Sequence, residues 1–210
     1  MVRKIKGESQ ATYDALLDAA EKEFSAKGVT RTTLNDVACA AGVTRGAIYW
    51  HFKDKGALFK AMCDRVFLPM QALLQEVSAA PSTNPVAALR QLMLHMLMQV
   101  ASDTRQRTVF DIMFHRCEKS DDMAFLVHER EKRGECLARL ELLLREAVTQ
   151  KILPATTDTA VAVQALNAYL IGLIYEWLID PSAYDLSRHA AAMIDIFLDG
   201  LLARPPLRHA

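Results

Sequence analysis

Apolar residues recur three and four positions apart along almost the whole of this 210-residue chain. That spacing places side chains on one face of an α-helix, whereas a half-buried strand would alternate apolar and polar residues. Within 10–27, for example, one stripe consists of Tyr13, Leu16, Leu17, Ala20 and Phe24. Glycine and proline, which interrupt helices, number only 8 and 7. The pattern therefore predicts an all-α fold.

Capping and turn residues divide this pattern into about nine helices. The predicted helices, some with their caps, cover 10–27, 32–42, 44–52, 55–79, 86–102, 104–118, 122–150, 157–179 and 187–203. Thr44 and Asp54 are the expected N-caps of the third and fourth helices. Pro69 lacks the amide hydrogen that would bond to the Arg65 carbonyl, so we expect a kink in the fourth helix.

Composition excludes a disordered chain and gives little overall attraction to polyanions. Hydrophobic residues make up 51% and charged residues 24%, and the formal net charge is zero. The charge is unevenly spread: residues 1–60 hold 10 Lys and Arg against 7 Asp and Glu, and residues 61–210 hold 15 against 18. The N-terminal end is therefore mildly basic and the remainder mildly acidic.

The longest apolar stretch, residues 160–179, has two interpretations. It is long enough for a membrane span, but Gln164, Asn167 and Glu176 interrupt it, which favours a buried or subunit-interface helix. The N-terminus shows no signal peptide, and the four cysteines show no CxxC spacing, which is typical of reduced thiols. We expect a soluble cytoplasmic protein.

The stretch "GVTRGAIYWHF" (42–52) carries the most informative pattern. On a helical wheel one side holds Thr44, Ala47, Ile48, His51 and Phe52, and the other holds Arg45, Gly46, Tyr49 and Trp50. The first side matches the apolar stripe of the preceding helix, and "AGV" supplies a glycine turn between the two. Two short helices joined in this way predict a helix-turn-helix over about 33–52, whose second helix enters the DNA major groove.

Residue chemistry supports that interpretation. An arginine reads guanine or holds phosphate, a glycine allows close approach to the DNA backbone, and the aromatic rings contact thymine methyls and sugars. Polar residues at helix ends are placed for phosphate contacts. The predicted DNA-binding residues are Thr33, Thr44, Arg45, Gly46, Tyr49, Trp50, His51 and Lys55. The alternative is an ordinary helical hairpin with surface aromatics.

The segment "TTLNDVACAAGVTRGAIYWHFKDKGALF" resembles the N-terminal domain of the TetR family of bacterial transcriptional repressors. "MVRKIKGESQATYDALLDAAEKEFSAKGV", "FHRCEKSDDM", "GLIYEWL" and "ARPPLR" resemble the AcrR-like branch, which represses multidrug efflux-pump genes. The resemblance implies a homodimer, a palindromic operator and release by a hydrophobic, drug-like effector. It suggests a DNA-binding domain over 1–56 and a ligand-binding and dimerisation domain over 57–210.

The C-terminal region is rich in methionine and phenylalanine, which suit adaptable binding surfaces, although each methionine taken alone is better explained as core. Together with the resemblance, this predicts an effector cavity bounded by helices four to eight. Its predicted residues are Phe67, Met70, Met93, Met96, Phe110, Phe114, Asn167, Ile171 and Tyr175, the last five only by position in the branch. Helices eight and nine, apolar on more than one face, are the expected dimer contact, with Leu170 and Phe197 at its centre.

Other functions find less support in the residues. His115, Cys117 and Glu118 lie close in sequence, but their helical positions converge poorly on one metal ion, and no catalytic or nucleotide-binding motif is present. We therefore predict no enzyme activity, no metal and no cofactor. A thiol redox sensor using Cys117 or Cys136 remains an alternative to effector sensing, and a helical interaction module without a DNA role is another.

Overall fold

The computed structural model describes the backbone of residues 2–79, 82–117 and 125–208, and the side chains of 9–79, 82–117 and 133–208. In these ranges the helices are α1 Val2–Lys27, α2 Leu34–Ala40, α3 Arg45–His51, α4 Lys55–Ser78, α5 Pro85–Ser102, α6 Thr104–His115, α7 Phe125–Thr149, α8 Thr159–Ile179 and α9 Leu186–Ala203. The all-α prediction is confirmed. Helix α1 begins earlier than predicted and α6 ends earlier. Residues 122–124, where the seventh helix was expected to begin, lie outside the described ranges.

Side-chain caps begin most of these helices where the sequence predicts a boundary. Thr44 Oγ1 accepts the Ala47 amide at 3.2 Å, and Asp54 Oδ1 accepts the Ala57 amide at 2.7 Å. Asn84, Asp158 and Asp185 cap α5, α8 and α9 in the same way. Each cap satisfies one amide that has no partner within its own helix.

The turn between α2 and α3 depends on Gly42. Its φ is +69°, a left-handed conformation that glycine adopts without steric cost. The Gly42 amide donates to the Cys39 carbonyl at 3.1 Å, and the Val43 amide donates to the Ala38 carbonyl at 3.0 Å. This pair of bonds is the Schellman motif that ends many helices. The motif fixes the angle at which α3 leaves α2.

The chain divides into two compact units. The first comprises Met1–Phe67 and Thr108–His128, and the second Leu68–Arg107 and Glu129–Ala210. The division reflects contacts within the folded chain and not independent folding. The boundary predicted after residue 56 therefore stays a prediction.

In the first unit, α1, α2, α3 and the start of α4 bury a common core. Its largest fully buried side chains include Leu16, Leu17, Phe24, Ile48, Leu58 and Met62. Burying each such side chain contributes roughly 1.5–3 kcal/mol. Arg65 of α4 also pairs with two acids of α1, Asp18 at 2.9 Å and Glu21. A small core thus holds α1 to α4 together, and the two ion pairs of Arg65 tie α4 to α1.

The second unit is built around α5, α8 and α9, which pack against one another. Arg90 of α5 makes a two-point contact with Asp195 of α9, at 2.6 and 2.8 Å. Tyr169 of α8 donates to the Met193 carbonyl of α9 at 2.7 Å. These bonds fix how α5 and α8 each lie against α9.

Helix α8 contains the stretch that the sequence left open to two interpretations. It is the one described helix that is long and apolar enough to cross a membrane, with a mean hydropathy of 1.3. One face of it is buried within the unit and includes Leu166, Leu170 and Ile174. The opposite face is exposed. This arrangement supports the core or interface interpretation.

Leu170 is not placed as the sequence suggested, whereas Phe197 keeps an exposed part. Leu170 is only 7% exposed within the single chain. Phe197 is half-buried, and its ring stacks on Tyr169 with the centroids 5.1 Å apart. Leu170 is committed to packing inside the subunit, so the expectation that it lies at the centre of a subunit interface is wrong. For Phe197, whose ring keeps an exposed part, that expectation stays a prediction.

Candidate nucleic-acid interface

Helix α3 presents two large aromatic side chains to solvent. Tyr49 is 49% exposed and Trp50 is 74% exposed, while Ile48 and Phe52 on the other face are buried. Thr44, Arg45 and Gly46 are also exposed. The structure therefore brings four of the eight predicted DNA-binding residues, Arg45, Gly46, Tyr49 and Trp50, together on one outer face, as the helical wheel predicts, while Thr44, which the wheel placed on the other side, is exposed at the N-cap. An exposed aromatic pair of this kind marks an interaction surface.

Arg45 and Tyr49 are pre-arranged on that face. The guanidinium carbon of Arg45 lies 5.6 Å from the centre of the Tyr49 ring, within the range of a cation–π contact. The neighbouring Gly46 has room for a side chain, since an added Cβ would meet only Thr44 Oγ1, at 3.9 Å. Nothing among the described neighbours requires glycine there. Packing within the chain therefore does not explain a glycine at this position, whereas close approach by an external partner would.

His51 sits at the inner edge of this face, half-buried. Its ring lies 5.8 Å from Tyr13 of α1 and 4.6 Å from Trp50, edge to face. Burial lowers the pKa of His51, so the imidazole is neutral near pH 7. A neutral imidazole offers one N–H to a phosphate but no charge. The sequence pattern assigned Tyr13 only to an apolar stripe of α1. In the structure its ring packs against His51 and Phe52 at the C-terminal end of α3.

Thr33 is exposed at the start of α2, as expected for a residue at the rim. It forms a capping box with Asp36: its hydroxyl lies 2.6 Å from Asp36 Oδ2 and accepts the Asp36 amide at 3.1 Å. The hydrogen bond from Thr33 is the main reason that the pKa of Asp36 is lowered. To donate to a phosphate, the Thr33 hydroxyl must leave this carboxylate.

Lys55 has a contact that the sequence did not suggest. Its Nζ donates to the carbonyls of Val29 and Thr30, at 2.8 and 2.9 Å, and so ties the start of α4 to the loop between α1 and α2. An ammonium group has three donors, so one is left for a phosphate. A DNA contact by Lys55 stays a prediction, and the residue also has a structural role. The sequence gives no indication of this structural role, because Lys55 simply follows the helix-capping Asp54.

Comparison with known proteins identifies the fold and its class. Residues 84–203, more than half of the chain, match the family described as MAATS-type transcriptional repressor, C-terminal region. Residues 16–62 match the family described as bacterial regulatory proteins, tetR family. The chain belongs to the TetR family. Its matched families are transcriptional regulators, a non-enzymatic class.

Individual TetR relatives match over nearly their full length. The HTH-type transcriptional regulator AcrR of Shigella flexneri is 38% identical, and the match covers 100% of this chain and 98% of AcrR. The structure of NalD, the secondary repressor of the MexAB-OprM multidrug efflux pump in Pseudomonas aeruginosa, superimposes with a TM-score of 0.78 at 30% identity, covering 92% of this chain and 97% of NalD.

A third relative was solved with a small molecule bound. The complex of triclosan with SmeT, the repressor of the Stenotrophomonas maltophilia multidrug efflux pump SmeDEF, gives a TM-score of 0.80 at 32% identity, covering 95% of this chain and 100% of SmeT. The similarity to these two repressors of efflux pumps thus covers 92% and 95% of this TetR-family chain.

The predicted effector-binding residues fall into two sets. Phe67, Phe110 and Phe114 form one aromatic cluster in the first unit, with ring centroids 5.2 Å apart for Phe67–Phe110 and 5.7 Å for Phe110–Phe114. The other residues belong to the second unit, where Met93 is buried, Tyr175 is exposed, and Met70, Met96, Asn167 and Ile171 are half-buried. The structure therefore brings together three of the nine.

A pocket of about 90 Å³ lies between α4 and α7 of the second unit. Its walls are formed by Gln71, Leu74, Gln75, Glu135, Cys136 and Arg139, and none of these is a predicted effector residue. Drug-sized ligands occupy pockets of roughly 300–1,000 Å³. In its present shape this pocket is too small for such a ligand.

The two cysteines proposed as redox sensors lie in unfavourable surroundings for that role. Burial raises the pKa of the Cys117 and Cys136 thiols, and the nearby cations Lys55 and Arg139 offset this only in part. The reactive form of cysteine is the thiolate, so a raised pKa lowers reactivity near pH 7. The structure does not favour thiol sensing.

The described part of the chain contains no group of three or more His, Cys, Asp or Glu residues arranged to hold a metal ion. His115 Nδ1 lies 2.9 Å from Asp111 Oδ1, one helical turn away. Glu118, the third member of the group weighed from the sequence, lies outside the described residues.

Proposed function

We propose that this protein is a cytoplasmic, effector-responsive repressor that binds a palindromic operator as a homodimer and controls a multidrug efflux operon. The observation that carries the DNA-binding role is the exposed face of α3, where Tyr49 and Trp50 stand beside Arg45 on a helix anchored by buried Ile48 and Phe52. In a helix-turn-helix this is the helix that enters the major groove.

The proposed contacts divide into two kinds. Arg45, Tyr49 and Trp50 read base edges and thymine methyls, which discriminate between sequences. Residues at helix ends, among them Thr33, Thr44 and Lys55, contact phosphates and set the register of the protein on the duplex. His51 contributes a neutral hydrogen bond near this rim. To contact DNA, Arg45 can leave the Tyr49 ring at little cost, because an exposed cation–π contact contributes only about 0.5–1 kcal/mol.

The proposed dimer forms through the outer faces of α8 and α9. On α8 the exposed residues include the small and apolar Val161, Ala165, Ala168, Tyr175 and Ile179, beside the polar Gln164 and Glu176. On α9 the corresponding residues include Ala192, Ile196, Gly200 and Ala203, and Ile196 is 70% exposed. Small residues let helices approach closely, and a two-fold axis would pair each face with its own copy.

The effector is proposed to be a hydrophobic, drug-like molecule that contacts the cluster of Phe67, Phe110 and Phe114. Aromatic side chains supply large apolar contact area and edge-to-face packing for flat ligands. The binding of triclosan by SmeT, a relative similar along almost the whole chain, supports this class of ligand. The efflux operon as target is supported by NalD and SmeT, both repressors of efflux pumps.

The test begins with unbiased selection of DNA. Purified full-length protein is used to enrich sequences from a random duplex library, and the enriched duplex is titrated by fluorescence anisotropy. We expect an inverted repeat bound far more tightly than scrambled duplex. A lipophilic dye and drug panel, including triclosan, is then added, and an effective compound lowers the affinity. Failure to enrich any sequence would overturn the proposed DNA-binding role, and no release by any compound would overturn the effector role.

A further inference from the structure

His51, the last residue of α3, is surrounded by aromatic rings. Its ring centroid lies 5.8 Å from that of Tyr13 on α1, 4.6 Å from that of Trp50 and 6.2 Å from that of Phe52. The ring of Trp50 meets the imidazole edge to face, with the two planes 89° apart. These three contacts hold the half-buried imidazole in place at the edge of the exposed face of α3.

Both ring nitrogens of His51 stay available to a partner outside the chain. Neither makes a hydrogen bond to any residue that the structure describes, and neither belongs to the buried polar atoms that lack a partner. Both nitrogens therefore reach solvent. A neutral imidazole has one N–H donor, and a protonated imidazole has two. The aromatic neighbours fix the position of the ring and leave its hydrogen-bonding capacity unused.

Among the described residues, no charged group faces His51 from the elements around it. Helix α1 presents the ring of Tyr13, and tyrosine is uncharged near pH 7. The next residues along the chain, Lys53 and Asp54, pair with each other at 3.8 Å, and Asp14 of α1 accepts hydrogen bonds within its own helix. Burial is the one cause that lowers the pKa of His51, and no ionisable group of a neighbouring element contributes to the shift.

A protonated His51 therefore lacks a counter-ion in the free subunit. A backbone phosphate of bound DNA would supply one. An anion within about 4–6 Å favours the charged form of a histidine and raises its pKa. A hydrogen bond between an ionised donor and an ionised acceptor is also stronger than the same bond from a neutral donor. The free and the DNA-bound protein should thus differ in how readily this imidazole accepts a proton.

We propose that His51 takes up a proton from solvent when the protein binds DNA, so that its contact with a backbone phosphate changes from a neutral hydrogen bond at pH 8 to an ion pair at pH 6. This inference rests on the proposed function. The proton binds the ring nitrogen that is unprotonated in the neutral imidazole, and no other bond forms or breaks. Affinity for DNA then depends on pH as well as on sequence.

The direction of that dependence follows from linkage. The pKa of His51 is lowered in the free protein by burial and raised in the complex by the phosphate, so the complex holds more protons between the two pKa values. Affinity therefore rises as the pH falls through this window. A difference of about one unit between the two pKa values corresponds to as much as about ten-fold in affinity for each subunit.

The test compares four full-length proteins: the wild type, His51→Gln, His51→Phe and the control His95→Gln. Glutamine keeps a hydrogen-bond donor but cannot become charged, and phenylalanine keeps a ring against Tyr13 but cannot titrate. His95 is exposed on α5 and belongs to no proposed DNA contact. The probe is the duplex selected by the wild-type protein. Anisotropy measures affinity from pH 6 to pH 8 at one ionic strength, and circular dichroism confirms folding at each pH.

For the wild type we expect affinity to rise about ten-fold or more between pH 8 and pH 6. His51→Gln should match the wild type at pH 8 and gain little at pH 6. His51→Phe should bind less tightly at pH 8 and gain equally little, while His95→Gln should follow the wild type throughout. Calorimetry at pH 7 in two buffers of different ionisation enthalpy should show proton uptake by the wild type and by His95→Gln, and none by the two His51 variants.

A wild-type affinity that is equal at pH 6 and pH 8, without proton uptake, would overturn this inference and leave the proposed function intact. The same pH dependence in the wild type and in both His51 variants would also overturn it, because another group would then be the one that titrates. If one His51 variant fails to fold, the other decides. If the wild-type protein selects no duplex, the proposed function fails and this inference fails with it.

Discussion

The amide of Val29 donates to the carbonyl of Arg116 at 2.9 Å, and this bond joins the loop after α1 to the chain just beyond α6 within the first unit. The preceding residue, Gly28, has φ +82°, and a Cβ added there would lie 3.4 Å from the same carbonyl oxygen. On the other side of the loop, Lys55 holds the carbonyls of Val29 and Thr30. The geometry of the loop before α2 is thus set by a glycine and by two neighbouring elements.

The first prediction concerns Gly28. Gly28→Ala forces a left-handed conformation on a residue with a Cβ, so we expect a loss of about 1–2 kcal/mol in the free energy of unfolding. Urea denaturation followed by circular dichroism measures it. Gly134→Ala, inside α7 with open space around it, is the matched control and should stabilise by about 0.5–1 kcal/mol. Equal effects of the two substitutions would contradict the role of φ at Gly28.

The second prediction concerns base reading by α3. Tyr49→Ala removes a ring and a hydroxyl from the exposed face, and a good base contact is worth about 1–3 kcal/mol of discrimination. We expect at least a ten-fold loss of affinity for the selected duplex, with little change for scrambled duplex, in anisotropy titrations. Leu142→Ala, at an exposed apolar residue of α7, should leave both affinities unchanged. Wild-type affinity for Tyr49→Ala would refute the docking of α3 in the groove.

The third prediction separates two roles of Lys55. Lys55→Ala removes two hydrogen bonds to backbone carbonyls, and bonds from charged donors contribute about 1.5–3 kcal/mol each, so the midpoint of urea denaturation should fall. If the remaining donor also holds a phosphate, the salt slope should flatten by about one unit for each subunit. A lowered midpoint with an unchanged slope would leave Lys55 with the structural role alone.

The fourth prediction locates the subunit contact. Ile196→Arg and Ala168→Arg place a charge on exposed faces of α9 and α8, where the single chain tolerates it but a dry interface does not. Sedimentation velocity should show the wild type as a dimer and both variants as folded monomers of 23.4 kDa. Leu142→Arg on α7 should remain dimeric. If all three variants remained dimers, the subunit contact would have to lie elsewhere than on these faces of α8 and α9.

The fifth prediction concerns the path from effector to DNA. Pro69 lies inside α4 and deprives the Arg65 carbonyl of its usual helical partner, so it offers a place at which α4 can pivot. With an effector found in the drug and dye panel, Pro69→Ala should bind that effector with similar affinity and release DNA less completely. Unchanged release at equal occupancy would mean that Pro69 only bends the helix.

Much of this protein could be predicted from local sequence. Helical periodicity placed the helices, and "GVTRGAIYWHF" predicted which side of α3 faces outward, because Ile48 and Phe52 lie on the side that matches the apolar stripe of the preceding helix. Gly42 was predicted in a left-handed turn because only glycine adopts that conformation without cost. Such signals are local, since each depends on residues within one or two helical turns.

Tertiary structure decided what those signals left open. Helix α8 is apolar on two opposite faces, so its sequence could not say that Leu170 points into the subunit while Ala168 and Ile179 remain outside. The carbonyls that Lys55 holds lie 25 and 26 residues away, and Phe67 meets Phe110 from another helix. Contacts of this kind depend on how distant segments pack around a shared core, and no local periodicity encodes that packing.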